Sequence, residues 1–213
     1  MDKKTRAREA LRRLRRTYRE PGEFVRWKIP LELVIGTVLS AQCTDKKVNE
    51  VTKKLFKKYR TARAYARARL PVLEREIHST GFYRSKARYL KGIGQILERD
   101  HKGAVPASLG DLLKLPGVSF KTAYLIMAKA FGKNTGIAVD THVSRVAPRL
   151  GLIRPRDAKK MGDDLETLYE PKDYLDVNEY LIMHGRAICK PRPLCGQCVL
   201  RDICPSAKKF LKQ

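Results

Sequence analysis

Four of the five cysteines crowd into the last stretch of the chain, as Cys189, Cys195, Cys198 and Cys204 in a C-x5-C-x2-C-x5-C run. An odd total with such crowding suits a metal site in a reducing compartment better than a disulfide framework. Two occupants are chemically open. Thiolates at these intervals can wrap a 4Fe-4S cluster. Zinc is the alternative, although structural zinc sites usually show two separated C-x2-C knuckles and this run has one. The spacing favours the cluster, in a structural rather than a redox role. Lys190, Arg192 and Arg201 lie within or beside the run, so the metal would shape a basic loop able to face phosphates. Cys43 sits far upstream in an apolar stretch and reads as a buried core thiol.

A second chemical signal is the segment Leu115-Pro116-Gly117-Val118-Ser119-Phe120-Lys121-Thr122-Ala123, set between two helical patterns. A tight Pro-Gly turn there aims backbone N–H groups outward, and at a helix N-terminus such groups hold a phosphate without reading base sequence. Val139-Asp140-Thr141-His142 follows downstream. By themselves these residues have ordinary readings. A lysine in so basic a chain is most often a solvated phosphate contact, and an Asp before a Thr is often a helix cap.

The elements that must position these groups are helices. Ala7, Ala10, Leu11, Leu14 and Tyr18 form one apolar stripe on an otherwise basic first helix, which Pro21 and Gly22 should end. The apolar run from Pro30 through Cys43 reads as a central core helix. Thr44 or Asp45 can cap the next, which turns Val48, Val51, Leu55 and Tyr59 inward. Further helices are predicted near 72–78, 85–99, 107–114, 119–131, 141–147, 157–169 and 175–188. Pro148 should shorten or kink the helix that holds it. Only TGIAVD, at 135–140, resembles a strand, and it is too short to build a sheet. There is no internal repeat, low-complexity linker or Gly-rich nucleotide loop.

The 213 residues, 43% of them hydrophobic, are enough for one good core or two small ones. Lys and Arg total 46 against 22 Asp and Glu, a formal charge of +24, which points to a polyanionic partner, nucleic acid first. Apolar runs are too short for the roughly 20 residues of a bilayer span. The N-terminus lacks the apolar core of a secretory signal, and its acidic residues with no Ser argue against a transit peptide. A soluble, intracellular protein without a membrane partner, acting in the cytoplasm with the chromosome, is the expectation.

LPGVSFKTA, VDTH and the four-cysteine tail stand in this order, preceded by SAQCTD at 40–45 and GFYRSKA at 81–87. In this the chain resembles the endonuclease III family of the helix-hairpin-helix (HhH-GPD) DNA glycosylases, over most of its length. The resemblance implies an all-α fold of two helical lobes flanking a DNA-binding cleft. Residues 23–133 would carry the helix-hairpin-helix, and 1–22 with 134–213 the iron-sulfur lobe. It also implies that Lys121 is the catalytic lysine, Asp140 the catalytic aspartate across the cleft, and the four C-terminal cysteines the ligands of a 4Fe-4S cluster. Gln42 and Phe82 would enter the DNA stack and fill the gap left by an everted nucleotide. Leu115, Gly117 and Ser119 of the hairpin would meet the phosphates, and His142 would face DNA or support Asp140. Two positions depart from the family. Ser119 replaces a usual Gly and would be strained if that position needs positive φ. The first two cysteines have five intervening residues where six is usual, so their loop must be shaped differently.

The implied activity is that of a bifunctional glycosylase and abasic-site lyase, a monomer acting on oxidised pyrimidines in double-stranded DNA. A neutral Lys121 amine attacks the sugar, expels the base and forms a Schiff base, after which β-elimination breaks the strand on the 3′ side. The helix N-terminal dipole and partial desolvation would favour the neutral amine, and Asp140 would stabilise the cationic sugar. One alternative is a monofunctional glycosylase for mismatched or alkylated bases; mismatch enzymes of the superfamily usually replace the lysine, so Lys121 favours the bifunctional reading. Another is a basic module that binds DNA without chemistry.

Overall fold

The computed structural model describes residues 1–19 and 25–211, so Pro21 and Gly22 lie outside the described residues. In chain order the helices are α1 (Lys3–Thr17), α2 (Pro30–Ser40), α3 (Asp45–Lys58), α4 (Ala62–Ala66), α5 (Leu70–Ile77), α6 (Tyr83–His101), α7 (Leu109–Leu112), α8 (Phe120–Phe131), α9 (Val143–Arg149), α10 (Ala158–Glu166), α11 (Tyr174–Ala187) and α12 (Ala207–Leu211). No strand occurs among the described residues. The chain divides into two compact units, one of residues 23–133 and one of 1–22 with 134–213.

The 23–133 unit is built around α2, whose residues from Leu33 through Leu39 are all buried, so this helix has no wet face. Around it, α3 is amphipathic and buries Val48, Thr52 and Leu55, with Thr44 as its N-cap. The sequence reading carried α2 on to Cys43, but the helix stops at Ser40. Ser40 Oγ turns back to the Thr37 carbonyl at 2.8 Å, and Gln42 takes a left-handed φ of 52°. Cys43 is therefore a half-buried turn residue rather than a helical core thiol. Helix α4 escaped the periodicity because it is five residues long, yet it buries Ala62 and Tyr65. It crosses α6 closely at Gly94, where an added Cβ would lie 2.5 Å from Ala66 N and 2.6 Å from Ala62 O.

In the other unit, α1 is capped by Asp2 and lays Ala7, Ala10, Leu11 and Leu14 into a core shared with α9, α10 and α11. Helix α9 is short, with Pro148 one residue before its end, and Gly151 at φ 66° follows in left-handed conformation. The strand-like segment at 135–139 is not a strand. Its backbone partners are side chains: Ile137 N–H donates to Glu166 Oε1 at 3.0 Å, and Asn178 Nδ2 donates to the Ala138 carbonyl at 2.6 Å. Glu166 on α10 and Asn178 on α11 thus hold buried, extended chain just before Asp140, satisfying its polar groups without a sheet.

Candidate functional site

The hairpin is a type II turn. Val118 N–H donates to the Leu115 carbonyl at 3.1 Å, Pro116 occupies the second position, and Gly117 takes φ 78° at the third. Glycine is needed there twice over, because a Cβ would also meet the Tyr89 ring at 2.8 Å. Leu115 and Val118 are buried and anchor the turn, while Gly117, Ser119, Phe120 and Lys121 are exposed at its tip. Leu115 donates its N–H to the Leu112 carbonyl as well. Leu115 is thus the buried anchor of the hairpin. Ser119 is unstrained: its φ is −91°, and its side chain accepts from Thr122 N as the N-cap of α8. The left-handed requirement falls on Gly117 alone, so serine at 119 is a cap and not a defect.

Lys121 stands in the first turn of α8, where the positive end of the helix dipole acts on it. Its side chain is exposed, so the desolvation expected of it is not supplied by burial within the protein.

Asp140 acts as the cap of α9. Its Oδ1 accepts from His142 N at 2.8 Å and Val143 N at 2.9 Å, and its carbonyl accepts from Ser144 N at 2.8 Å. The second oxygen lies 3.1 Å from His142 Nδ1, so His142 supports the carboxylate directly. Gly185 on α11 makes room for this histidine, since a Cβ there would come within 2.9 Å of His142 Cβ. With its side chain 12% exposed, Asp140 is oriented by its own backbone and reachable at one edge. The cap reading and the chemical reading describe the same carboxylate.

Gln42 and Phe82 both lie exposed in the 23–133 unit with positive φ, 52° and 48°, and Phe82 is 66% exposed. Gly81, at φ 69° and ψ 158°, occupies a region essentially reserved for glycine.

Cys189, Cys195, Cys198 and Cys204 all line one small pocket, walled by Val146, Leu150, Ile188, Pro193 and Phe210. Burial pushes the Cys198 thiol up to about 11 and raises Cys195 and Cys204 as well, so ionised sulfurs there call for a cation. Leu200 N–H donates to Cys198 Sγ at 3.4 Å and Arg149 Nη1 approaches Cys189 Sγ at 3.6 Å, contacts that suit thiolates. Among the described residues no three His, Cys, Asp or Glu side chains gather closely enough to hold a single ion. Four thiols on one pocket are a donor set chemically suited to a thiolate-bound metal centre.

Several residues that the sequence offered only as generic positive charge do structural work around this loop. Arg149 donates to the Lys190 carbonyl at 2.6 Å and the Pro191 carbonyl at 3.0 Å. Arg145 reaches the Cys189 carbonyl at 2.9 Å, and Arg13 of α1 the Val199 carbonyl at 3.0 Å. Buried His184 bridges Tyr18 Oη at 2.9 Å and Cys198 Sγ at 3.5 Å, and burial lowers its pKa to about 4. Lysine and arginine counts cannot distinguish these anchors from phosphate contacts. Lys190, Arg192 and Arg201 do remain exposed on the loop.

Residues 35–171 match the HhH-GPD superfamily of base excision DNA repair proteins. An endonuclease III from a Synechocystis species is 42% identical over 97% of this chain and 94% of its own length. Among solved structures, a non-covalent endonuclease III–DNA complex superposes with a TM-score of 0.92 at 38% identity, covering 100% of both chains. A trapped endonuclease III–DNA covalent intermediate gives the same TM-score and identity over 99% of this chain and 100% of that one. With a type II hairpin turn, a capped aspartate and a four-thiol cavity set on an all-helical scaffold, the chain belongs to the HhH-GPD superfamily and, within it, to the endonuclease III family.

Proposed function

We propose that the protein binds double-stranded DNA, removes oxidised pyrimidines as a DNA N-glycosylase and cleaves the resulting abasic site as a lyase. The observation that carries the reading is Lys121, an exposed amine in the first turn of α8, directly after a Pro-Gly turn and a serine cap.

A base within a duplex is shielded from attack, so the nucleotide must first be everted at a cost of about a few kcal/mol. The hairpin tip holds a phosphate through backbone N–H groups, and the +24 charge of the chain supplies attraction independent of sequence. Gln42 and Phe82 fill the space in the stack. The neutral Lys121 amine then attacks the anomeric carbon as the C–N bond to the base breaks. Asp140 supplies the negative charge that offsets the developing cation and assists proton transfer, held in orientation by its cap bonds and His142. The Schiff base permits β-elimination. One chain holds every one of these groups, so a monomer suffices for the chemistry.

Cys189, Cys195, Cys198 and Cys204 would hold a 4Fe-4S cluster. The C-x5-C-x2-C-x5-C run, with a single C-x2-C knuckle, favours it over zinc, and all four thiols line one pocket. When bound, the cluster supplies a cross-link that fixes the basic loop. A DNA substrate and a cysteine cluster suited to a reducing compartment support an intracellular location with the chromosome.

Borohydride trapping on a duplex with a single oxidised pyrimidine tests the reading. Wild type forms a covalent protein–DNA adduct and cuts the strand, and Lys121→Gln does neither while keeping its fold. Base release by wild type with no adduct would move the chain to the monofunctional class.

A further inference from the structure

Lys86 is 3% exposed, so it is no phosphate contact. A buried ammonium needs hydrogen-bond partners. Its Nζ donates to the Leu39 carbonyl at 2.8 Å and to the Thr80 carbonyl at 2.7 Å. Both acceptors end helical segments: Leu39 lies in the last turn of α2, and Thr80 closes the short 3-10 turn of residues 78–80. Carbonyls at helix C-termini carry partial negative charge, which a cation offsets.

From each carbonyl the chain runs within three residues to an exposed left-handed residue, Gln42 on one side and Phe82 on the other. Among the described residues the other non-glycine with positive φ is Lys102, which merely caps the end of α6. Such backbone persists where its surroundings over-determine it. Lys86 adds a third tie, because its own N–H donates to the Phe82 carbonyl at 3.1 Å. Thr80 is fixed in turn, with its hydroxyl donating to the Ile77 carbonyl at 2.8 Å.

We propose that Lys86 is a positioning residue that joins the Gln42 turn and the Phe82 turn through one buried nitrogen, so that both side chains are presented to DNA as a single wedge. This rests on the reading of Gln42 and Phe82 as the residues that fill the gap of an everted nucleotide. Lys86 itself touches no substrate. Its loss loosens both turns at once and slows eversion, while the hairpin that holds phosphate is left alone.

The test follows eversion by the fluorescence of 2-aminopurine opposite a single lesion, at saturating protein, for Lys86→Met, Gln42→Ala with Phe82→Ala, and all three together. Lys86→Met should slow eversion roughly tenfold or more with little change in duplex affinity, a misplacement effect. Added to the wedge double variant it should slow eversion no further, the non-additivity of groups acting as a unit. Eversion at the wild-type rate in Lys86→Met, beside slow wedge variants, overturns the proposal, as does fully multiplicative slowing. Wild-type rates in the wedge variants overturn the wedge reading itself. Should Lys86→Met not fold, hydrogen exchange on the wild type decides: residues 39–44 and 79–84 open together if one nitrogen joins them, and independent opening rates refute it.

Discussion

Gly117→Ala separates the conformational demand of the hairpin from its work on DNA, because Gly132 provides a matched control. Both glycines have positive φ, 78° and 64°, and both lie in the 23–133 unit. Left-handed backbone costs an alanine about 1–2 kcal/mol, offset by roughly 0.4–1 kcal/mol from the stiffer unfolded chain. At Gly132 nothing lies within 4 Å of an added Cβ, so the backbone cost stands alone and Gly132→Ala should destabilise by about 1 kcal/mol. At Gly117 the Cβ meets Tyr89 Cδ2 at 2.8 Å. The ring is 40% exposed and can swing aside, adding about 1 kcal/mol of overpacking. Urea unfolding should therefore rank wild type, Gly132→Ala and Gly117→Ala in falling stability. Tyr89→Ala in the Gly117→Ala background should bring the cost back to that of Gly132→Ala. Duplex affinity divides the pair differently. Each hydrogen bond to a charged phosphate contributes about 1.5–3 kcal/mol, so a reoriented tip should weaken binding roughly tenfold or more, and Gly132→Ala should leave it unchanged. Equal duplex affinity in the two variants would refute the phosphate seat, whatever their stabilities.

Three further outcomes are expected. Ser119→Gly should cost a few tenths of a kcal/mol and Ser119→Ala about 1 kcal/mol by chemical unfolding, because the position is an extended N-cap and needs no positive φ. His184 titrates at about 4 when folded, against about 6.5 when unfolded. The unfolded chain binds the proton more tightly, so this contribution is complete above the unfolded value and falls by about 3 kcal/mol as pH drops through that window. His184→Gln should flatten the difference when unfolding is followed against pH. Arg149→Ala should lower the iron content and visible absorbance of the purified protein, because Arg149 ties the carbonyls of Lys190 and Pro191 beside the first cysteine, whereas Arg192→Ala, at an exposed loop position, should leave both unchanged.

The sequence carried the helical class, because apolar residues recur at helical spacing and most of the predicted stretches coincide with observed helices to within a few residues. It also carried the order of the chemical motifs, since a Pro-Gly turn, a cap and short cysteine intervals are local features read from adjacent residues. Helices α4 and α12 escaped it, being five residues each and too short for a period. So did the early end of α2.

What a linear pattern cannot reveal is which of many like charges is turned inward onto the backbone. Lys86, Arg145 and Arg149 have the same side chains as the solvated residues around them. Only the tertiary structure turns their donors to backbone carbonyls. The extended TGIAVD segment makes the same point, since its polar groups are met by Glu166 and Asn178 from distant parts of the chain. Residue type and spacing determined the kind of chemistry and the helices that bear it. Burial and long-range hydrogen bonding decided which cations hold the site together, because a desolvated charge must find its partners wherever the fold places them.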